Sequence, residues 1–205
     1  MHNKINASVA LICFSKLGGT PLIENEIIFI KRATHPLDPW SGHCALPGGG
    51  HEKIDDDYLD TAVRETLEEI GLKKNELEFK RFLTTLVPQK RFKEKELNLR
   101  AYLFSTTSMP VFFDAEEVAD VFSVEVSKFL RNDLYSLKSN KNLSNFLCLT
   151  DPKTGHVIWG LTLALVLYFL QQYFPNEIKQ IHLLESYFEH KNKHLSFFEE
   201  EIITI

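Results

Sequence analysis

Three glutamates on one predicted helix are the residues of this chain best suited to chemistry. Glu65, Glu68 and Glu69 follow a triple glycine at 48–50, and Arg64 comes directly before the first of them. At about 100° per residue, these four charged side chains fall in one sector of the helix, and apolar side chains fill the opposite one. Like charges one turn apart destabilise a helix by roughly 0.2–0.5 kcal/mol, so the cluster predicts a cation between them. A hard divalent cation with oxygen ligands suits this set.

These side chains can divide the work of hydrolysis between them. Glu65 and Glu69 can both reach one ion or two adjacent ions, and Glu68 can ligate directly or hold a metal-bound water. Arg64 can pin Glu68 through a bidentate hydrogen bond, and the glycines let backbone carbonyls approach the metal. A metal makes its bound water easier to ionise and stabilises charge on phosphate oxygens. The set therefore predicts a hydrolase of diphosphate bonds that uses Mg²⁺ or Mn²⁺.

The stretch from Gly50 to Leu72 resembles the Nudix box of the Nudix hydrolase superfamily. An acidic run alone is usually a solvated helix face, but this one comes with glycines and an arginine at fixed spacing. Two positions depart from the pattern: Asp56 replaces a glutamate but keeps the charge, and Thr66 stands at an apolar position, where its methyl group can pack. The matching residues are Gly50, Arg64, Glu65, Glu68, Glu69, Gly71 and Leu72.

The resemblance implies an α/β (α+β) fold, the Nudix α/β/α sandwich, in which helices flank a mixed sheet. It implies Glu65 and Glu69 as principal metal ligands, with Glu68 and the Gly49 carbonyl as further ligands. Glu65, Glu68 and Arg64 are then the catalytic residues. A general base often comes from a loop distant from the box, although Glu65 could also serve. The distant candidates, among which the sequence does not choose, are Glu94, Glu96, Glu116 and Glu117.

The flanks of the box resemble the coenzyme A diphosphatase branch of that superfamily. Upstream, Arg32, Ala33, Gly42 and the run 46–49 match in kind, although the second arginine of the branch is missing and a leucine replaces its aromatic residue. Downstream, the segments 116–130 and 156–170 also look like that branch. The resemblance implies cleavage of coenzyme A or its derivatives to 3′,5′-ADP and 4′-phosphopantetheine. ADP-ribose or a nucleotide sugar is the alternative substrate.

The loop before the box holds the candidate substrate-binding residues. Arg32 can hold a phosphate and Trp40 can stack on adenine. Gly48 is a third candidate for contact with the substrate. A surface arginine and a tryptophan at the core edge are the alternative interpretations. His35 and His43 lack partners at metal-ligand spacing, so we interpret both as structural. A basic run could meet a 3′-phosphate or form a solvated loop; it contains Lys90, Arg91 and Lys93.

The composition argues against several classes of function. Of 205 residues, 44% are hydrophobic and 25% are charged, as in an ordinary soluble globular protein. With a net charge of −5, the chain lacks the basic surface that binding of duplex nucleic acid requires. The three scattered cysteines fit neither a disulfide framework nor a zinc site. We therefore expect a cytoplasmic protein that does not bind nucleic acid, and the resemblance to the Nudix family implies a small-molecule nucleotide as its partner.

An apolar stretch at 157–170 has two interpretations. A membrane span needs about 20 apolar residues, and this stretch is shorter and contains Gly160 and Thr162. We expect a buried or interface helix rather than a membrane span. A membrane-attached protein is the alternative.

The remaining apolar patterns predict a sheet flanked by helices. We assign residues 1–175 to a Nudix-type domain and 176–205 to a C-terminal helical extension, packed on that domain or on a dimer partner. The apolar helix and the apolar end at 202–205 make a homodimer our hypothesis. Strands are predicted at 7–14, 26–31, 77–86, 97–104 and 118–126, and helices at 57–70, 127–137, 155–174 and 178–194.

A non-catalytic module of the same fold is the alternative from a different class. Such a module would bind a nucleotide or a partner protein. Because a pure binder has no need for carboxylates that repel one another, we expect an enzyme.

Overall fold

The computed structural model describes residues 4–36, 38, 40–87, 96–110, 113–140, 143–184 and 202–204. The strands are β1 (Lys4–Phe14), β2 (Glu26–Arg32), β3 (Cys44–Ala45), β4 (Gly48–Gly50), β5 (Glu78–Val87), β6 (Glu96–Thr106), β7 (Val118–Glu125), β8 (Tyr135–Asn140), β9 (Leu143–Thr150), β10 (Val157–Trp159) and β11 (Ile202–Thr204). The α-helices are α1 (Tyr58–Ile70), α2 (Gly160–Tyr173) and α3 (Pro175–Ile178). Short 3₁₀ helices lie at Leu22–Glu24, Lys74–Glu76, Val126–Leu130 and Asn132–Leu134.

The large sheet is organised around β1. Strand β6 runs parallel to β1 along one edge, and β4 and β2 pair with it antiparallel near its start and its end. Beyond these, β5 pairs with β6, while β3 and β7 pair with β2. The described residues thus form one mixed sheet of eight strands and a separate sheet of three, β8 to β10.

Each face of the large sheet buries its own hydrophobic core. Successive side chains of a strand point to opposite faces, so Ile12 of β1 packs in the same cluster as Val63 of α1. Its neighbour Leu11 packs on the other face, in the cluster that contains Phe169 of α2. The sheet therefore lies between α1 and α2, which confirms the predicted α/β/α sandwich.

Helix α1 confirms the helix predicted over 57–70, and its ends follow from the residue types there. Asp57 caps the first turn, because its Oδ1 accepts the Asp60 N–H at 2.8 Å. Gly71 ends the helix with φ 72, a left-handed conformation that glycine adopts without strain. Thr66 is buried and its hydroxyl donates to the Ala62 carbonyl at 2.7 Å, so this polar residue is accommodated at the apolar position.

The region after β7 differs from the single helix predicted over 127–137. Two 3₁₀ helices lead instead into β8, the first strand of the smaller sheet. The buried Tyr135 accounts for the difference, since its hydroxyl donates to the Phe129 carbonyl at 2.7 Å. This bond holds the start of β8 against the preceding helix, and a continuous helix would separate the two groups.

Helix α2 is shorter than the helix predicted over 155–174. Residues Val157–Trp159 pair with β9 as β10, so the helix begins only at Gly160. In the part of the chain that the structure describes, no helix is long and apolar enough to cross a membrane.

The C-terminal region is described only in part. A turn at 179–181 interrupts the helix predicted over 178–194, and residues 185–201 lie outside the described residues. Residues 202–204 pair with β5 as the parallel strand β11. The helical extension at 176–205 and the homodimer stay predictions.

The buried phenylalanine rings on the α2 side of the large sheet predict where the fold is most sensitive to truncation of a side chain. The Phe129 ring is fully buried and lies 6.0 Å from the ring of Phe29, centroid to centroid. Replacing Phe129 by Ala should lower the free energy of unfolding by about 3–5 kcal/mol, because a cavity remains. Leu137, which is 45% exposed, is the control, and its change to Ala should cost less than about 1 kcal/mol. Urea unfolding measures both; equal losses would contradict this packing.

Candidate functional site

The triple glycine forms a strand against which the acidic face of α1 packs. Strand β4 pairs with Ala7–Val9 of β1, and the Gly48 N–H donates to Glu69 Oε2 at 2.8 Å. Gly48 has φ 152, and a Cβ there would lie 2.2 Å from the Ser8 carbonyl oxygen. The close pairing of β4 with β1 therefore requires a residue without a side chain at Gly48.

Gly49 makes the corresponding approach to Glu65. A Cβ on Gly49 would lie 2.5 Å from the carboxyl carbon of Glu65, whereas a Cβ on Gly50 would meet nothing within 4 Å. The Glu65 carboxylate therefore rests on the backbone of β4, in space that any other residue at Gly49 would fill. This is a cradle made of backbone polar groups and two carboxylates.

Both of these carboxylates lie in surroundings that disfavour negative charge. Glu69 is 2% exposed, and burial raises its pKa to about 8, although the Gly48 N–H opposes this effect. Burial also raises the pKa of Glu65, against the attraction of Arg64. A divalent cation would offset the cost of burying two carboxylates so close together.

Arg64 holds the acidic residues around it in place. Its Nη1 donates to Glu68 Oε2 at 2.7 Å, and its Nη2 donates to the Gly50 carbonyl at 3.0 Å and lies 2.9 Å from Glu65 Oε1. Its Nε donates to Asp55 Oδ1 at 2.7 Å. A single guanidinium thus joins the helix, the end of β4 and the loop between them. The contact with Glu68 is the one expected from the sequence.

Asp55 is the residue that the sequence analysis missed. Its side chain is 1% exposed and also accepts hydrogen bonds from the Thr61 hydroxyl and the Glu52 N–H. The bonds from Arg64 hold the pKa of Asp55 well below its usual range, against the opposing effect of burial. Asp56, which occupies the glutamate position of the Nudix pattern, is exposed instead. No local pattern in the sequence distinguishes Asp55 from its neighbour Asp56.

The donors present fit a hard divalent cation. Glu65, Glu69 and the backbone oxygens of 48–50 supply the oxygen ligands that Mg²⁺ and Mn²⁺ prefer. Among the described residues, however, no three His, Cys, Asp or Glu side chains converge as a metal site. Glu68 is 54% exposed and is held by Arg64, and its negative charge acts on Glu65. The ligand roles remain predictions.

The turn before β7 brings a further carboxylate to the site. The Asp114 N–H donates to the Glu69 carbonyl at 3.2 Å, which fixes this turn against α1. The negative charge of Glu117, in the same turn, raises the pKa of both Glu65 and Glu69. Of the other candidate bases, Glu116 is exposed and its N–H donates to Asp114. Glu94 and the side chain of Glu96 lie outside the described residues.

Arg32 lies on the same side of the sheet as the carboxylates. Its positive charge lowers the pKa of Glu69, so it is close enough to act on the site. Its Nε and Nη2 both donate to Asp38 Oδ2, at 3.0 and 2.8 Å, which orients the guanidinium. Trp40 is 36% exposed, and its backbone N–H donates to Asp38 Oδ1 at 3.0 Å.

The structure describes His35 and His43 of this loop but not the basic run predicted further along the chain. The His35 backbone N–H donates to the Ser41 hydroxyl at 2.8 Å, and the His43 carbonyl accepts the Arg32 N–H at 3.0 Å. These are backbone contacts, so the structural role of both side chains stays a prediction. The basic run falls within 88–95, outside the described residues, and includes Lys90, Arg91 and Lys93.

Replacing Asp55 by Asn tests the buried ion pair. Removing one partner of such a pair should lower the free energy of unfolding by about 3 kcal/mol at neutral pH. Replacing Asp56 by Asn, the matched control, should cost less than about 0.5 kcal/mol, because its side chain is exposed. Urea unfolding measures both, and equal effects would show that Asp55 is not the anchor.

The same pair predicts how stability depends on pH. Because folding lowers the pKa of Asp55 from its ordinary 3.8, its contribution is present above that pH and is lost as the pH falls. The parent protein should therefore lose more stability than the Asp55→Asn variant between about pH 4 and pH 2. Parallel curves for the two proteins would contradict this.

Known proteins resemble this chain in sequence. A family model of the NUDIX domain matches residues 16–142. A probable nudix hydrolase of Schizosaccharomyces pombe is 32% identical over 156 residues, which are 75% of this chain and 53% of that protein. The peroxisomal coenzyme A diphosphatase NUDT7 of Mus musculus is 31% identical over 128 residues, 59% of this chain and 52% of that protein. The chain spans about half the length of these curated relatives.

A solved structure supports the fold over nearly the whole chain. The MutT/nudix family protein from Enterococcus faecalis superposes with a TM-score of 0.53 at 15% identity, over 97% of this chain and 80% of that chain. Because the family model also covers more than half of the residues, the chain belongs to the NUDIX domain family.

Proposed function

We propose that this protein is a metal-dependent hydrolase of nucleoside diphosphate derivatives, with coenzyme A or its derivatives as the leading substrate. The observation that carries the proposal is the contact between β4 and the acidic face of α1. Two buried carboxylates lie there against a strand of three glycines. A protein that only bound nucleotides would bear the cost of burying these charges without using them.

The residues of the site have distinct roles in the proposed reaction. Glu65, Glu69 and the Gly49 carbonyl hold Mg²⁺ or Mn²⁺, and Glu68 joins them if it leaves Arg64. When bound, the metal makes water easier to ionise and stabilises charge on the phosphate oxygens. Arg64 keeps Glu65 beside the glycines, through the ion pair that it forms with that carboxylate.

The proton of the attacking water needs an acceptor near the carboxylates. We assign the role of this acceptor to Glu117, whose negative charge acts on both Glu65 and Glu69. Arg32, held by Asp38, is placed to bind a phosphate of the substrate. The water oxygen bonds to one phosphorus, the bond from that phosphorus to the bridging oxygen breaks, and two phosphomonoesters leave.

The preference for coenzyme A rests on the sequence around the box. The segment before it resembles the coenzyme A diphosphatase branch, and a coenzyme A diphosphatase is among the relatives. From coenzyme A the products would be 3′,5′-ADP and 4′-phosphopantetheine.

A substrate panel tests the proposal directly. The purified protein with Mg²⁺ or Mn²⁺ should hydrolyse coenzyme A faster than ADP-ribose, NADH or a dinucleoside polyphosphate, as measured by product chromatography. Faster hydrolysis of ADP-ribose would overturn the coenzyme A assignment and keep the reaction. Replacing Glu69 by Gln should lower kcat by about 100-fold or more while the nucleotide still binds. Nucleotide binding without hydrolysis of any compound by the parent protein would favour the non-catalytic module.

Two neighbouring glycines give a matched pair of variants. Alanine at Gly49 must displace the Glu65 carboxylate, whereas alanine at Gly50 meets no atom within 4 Å. We therefore expect Gly49→Ala to lower kcat/KM by about 10- to 100-fold and Gly50→Ala to change it by less than about threefold. Equal losses in both variants would show that the contact between Gly49 and Glu65 is not what the reaction needs.

A further inference from the structure

Three partly exposed aromatic rings meet at the edge of the smaller sheet. The ring centroids of His43 and Trp159 are 4.8 Å apart at 66°, and those of Phe146 and Trp159 are 4.7 Å apart at 42°. All three side chains keep part of their surface in contact with solvent. Trp159 is the central member, because it touches both of the others.

The position of Trp159 is set by secondary structure on both sides. It is the last residue of β10, paired with Cys148 of β9, and it directly precedes α2. The Thr162 hydroxyl in the first turn of α2 donates to the Cys44 carbonyl at 3.1 Å. This bond joins α2 to β3, next to His43, so the aromatic cluster is held between two rigid elements.

The cluster adjoins the diphosphate end of the site through Arg32. The Arg32 N–H donates to the His43 carbonyl at 3.0 Å, and the charge of Arg32 acts on Glu69. From His43 to Gly48 the chain advances five residues, which spans at most about 17 Å in an extended strand. That is comparable to the length of an extended nucleoside diphosphate. Strand β3 ends the strand path of the large sheet, so a ligand whose phosphates lie at the carboxylates would reach the cluster around this edge.

The chemistry of the three rings suits a nucleobase. Bases stack on aromatic side chains irrespective of sequence, because every base presents a π face. Partial burial and the cations Lys31 and Arg32 lower the pKa of His43. Both effects favour the uncharged imidazole, whose ring can exchange hydrogen bonds with the edge of a base.

Ordinary packing between the two sheets is the competing explanation. It accounts for contacts among buried rings, such as those around Phe29. Packing leaves part of the surface of the three rings, near an arginine held by Asp38, open to a ligand.

We propose that Trp159 is the platform on which the nucleobase of the substrate stacks, flanked by His43 and Phe146. Trp159 thereby takes the role that the sequence analysis gave to Trp40. The identity of the ligand rests on the proposed function, since a nucleoside diphosphate derivative brings both a base and a diphosphate. Trp159 is then a specificity-determining residue for substrates that carry a base.

Fluorescence tests the platform without any turnover. The chain contains two tryptophans, so Trp40→Phe leaves Trp159 as the only indole. AMP should quench the emission of this variant saturably, whereas ribose 5-phosphate, which lacks the base, should not. In a Trp159→Leu variant, where only Trp40 reports, AMP should cause no saturable change. A response from Trp40 and none from Trp159 would overturn the proposal.

Kinetics provides the second test. Trp159→Leu should raise KM for the nucleotide substrate by about tenfold or more, the usual effect of losing one base–aromatic stack, with kcat within about threefold. Phe79→Leu, at an exposed aromatic residue elsewhere on the sheet, should leave KM unchanged. If Trp159→Leu lowers the thermal midpoint, His43→Ala, which truncates a flanking ring, should still raise KM. An unchanged KM in stable variants would overturn the platform and leave the hydrolase proposal standing.

The proposed function can also fail while the base-binding role of Trp159 holds. A parent protein that hydrolyses no diphosphate compound would refute the proposed function. Quenching of Trp159 by AMP would still show that the cluster binds a base.

Discussion

The ion pair between Arg64 and Asp55 is the interaction on which the arrangement of the site depends. A buried carboxylate without a partner is costly, and Asp55 is almost fully enclosed. Arg64 neutralises it and, with its remaining donors, holds the Gly50 carbonyl, Glu65 and Glu68. The loop, the glycine strand and the acidic helix are therefore linked through one guanidinium. Loss of either partner would loosen the contacts among all three elements, although the Gly48 N–H also donates to Glu69 and the Thr61 hydroxyl also donates to Asp55.

The glycine strand provides the second constraint. β4 lies so close to β1 and α1 that a Cβ at Gly48 would overlap the backbone of β1 and a Cβ at Gly49 would overlap the Glu65 carboxylate. This approach buries Glu65 and Glu69 next to backbone polar groups and raises the pKa of both carboxylates. The site is thus assembled at a cost in electrostatic free energy, and a divalent cation is the ligand that relieves it.

The substrate side of the site is divided between the two layers of the fold. Arg32 lies on the face of the sheet that carries the acidic helix, while Trp159 belongs to the smaller sheet next to α2. The segment from His43 to Gly48, which contains β3, connects the two regions. A ligand with a charged end and an aromatic end matches this division. In the proposed site, the preference among such ligands would depend on the aromatic end, since the carboxylates would contact only the part that all of them share.

Local pattern in the sequence determined the helix over 57–70, its glycine stop, the alternation of the main strands and the set of carboxylates, because these features depend on residues within a turn or two of one another. It also indicated the sandwich and the reaction class. The pairing of Arg64 with Asp55 rather than with Asp56 was decided by the tertiary structure, since burial chooses between adjacent aspartates and no local pattern reports it. The same holds for the smaller sheet, which replaced the helix predicted over 127–137, and for the position of Trp159 beside His43. His43 and Trp159 lie more than a hundred positions apart, and only the packing of the whole chain brings them together.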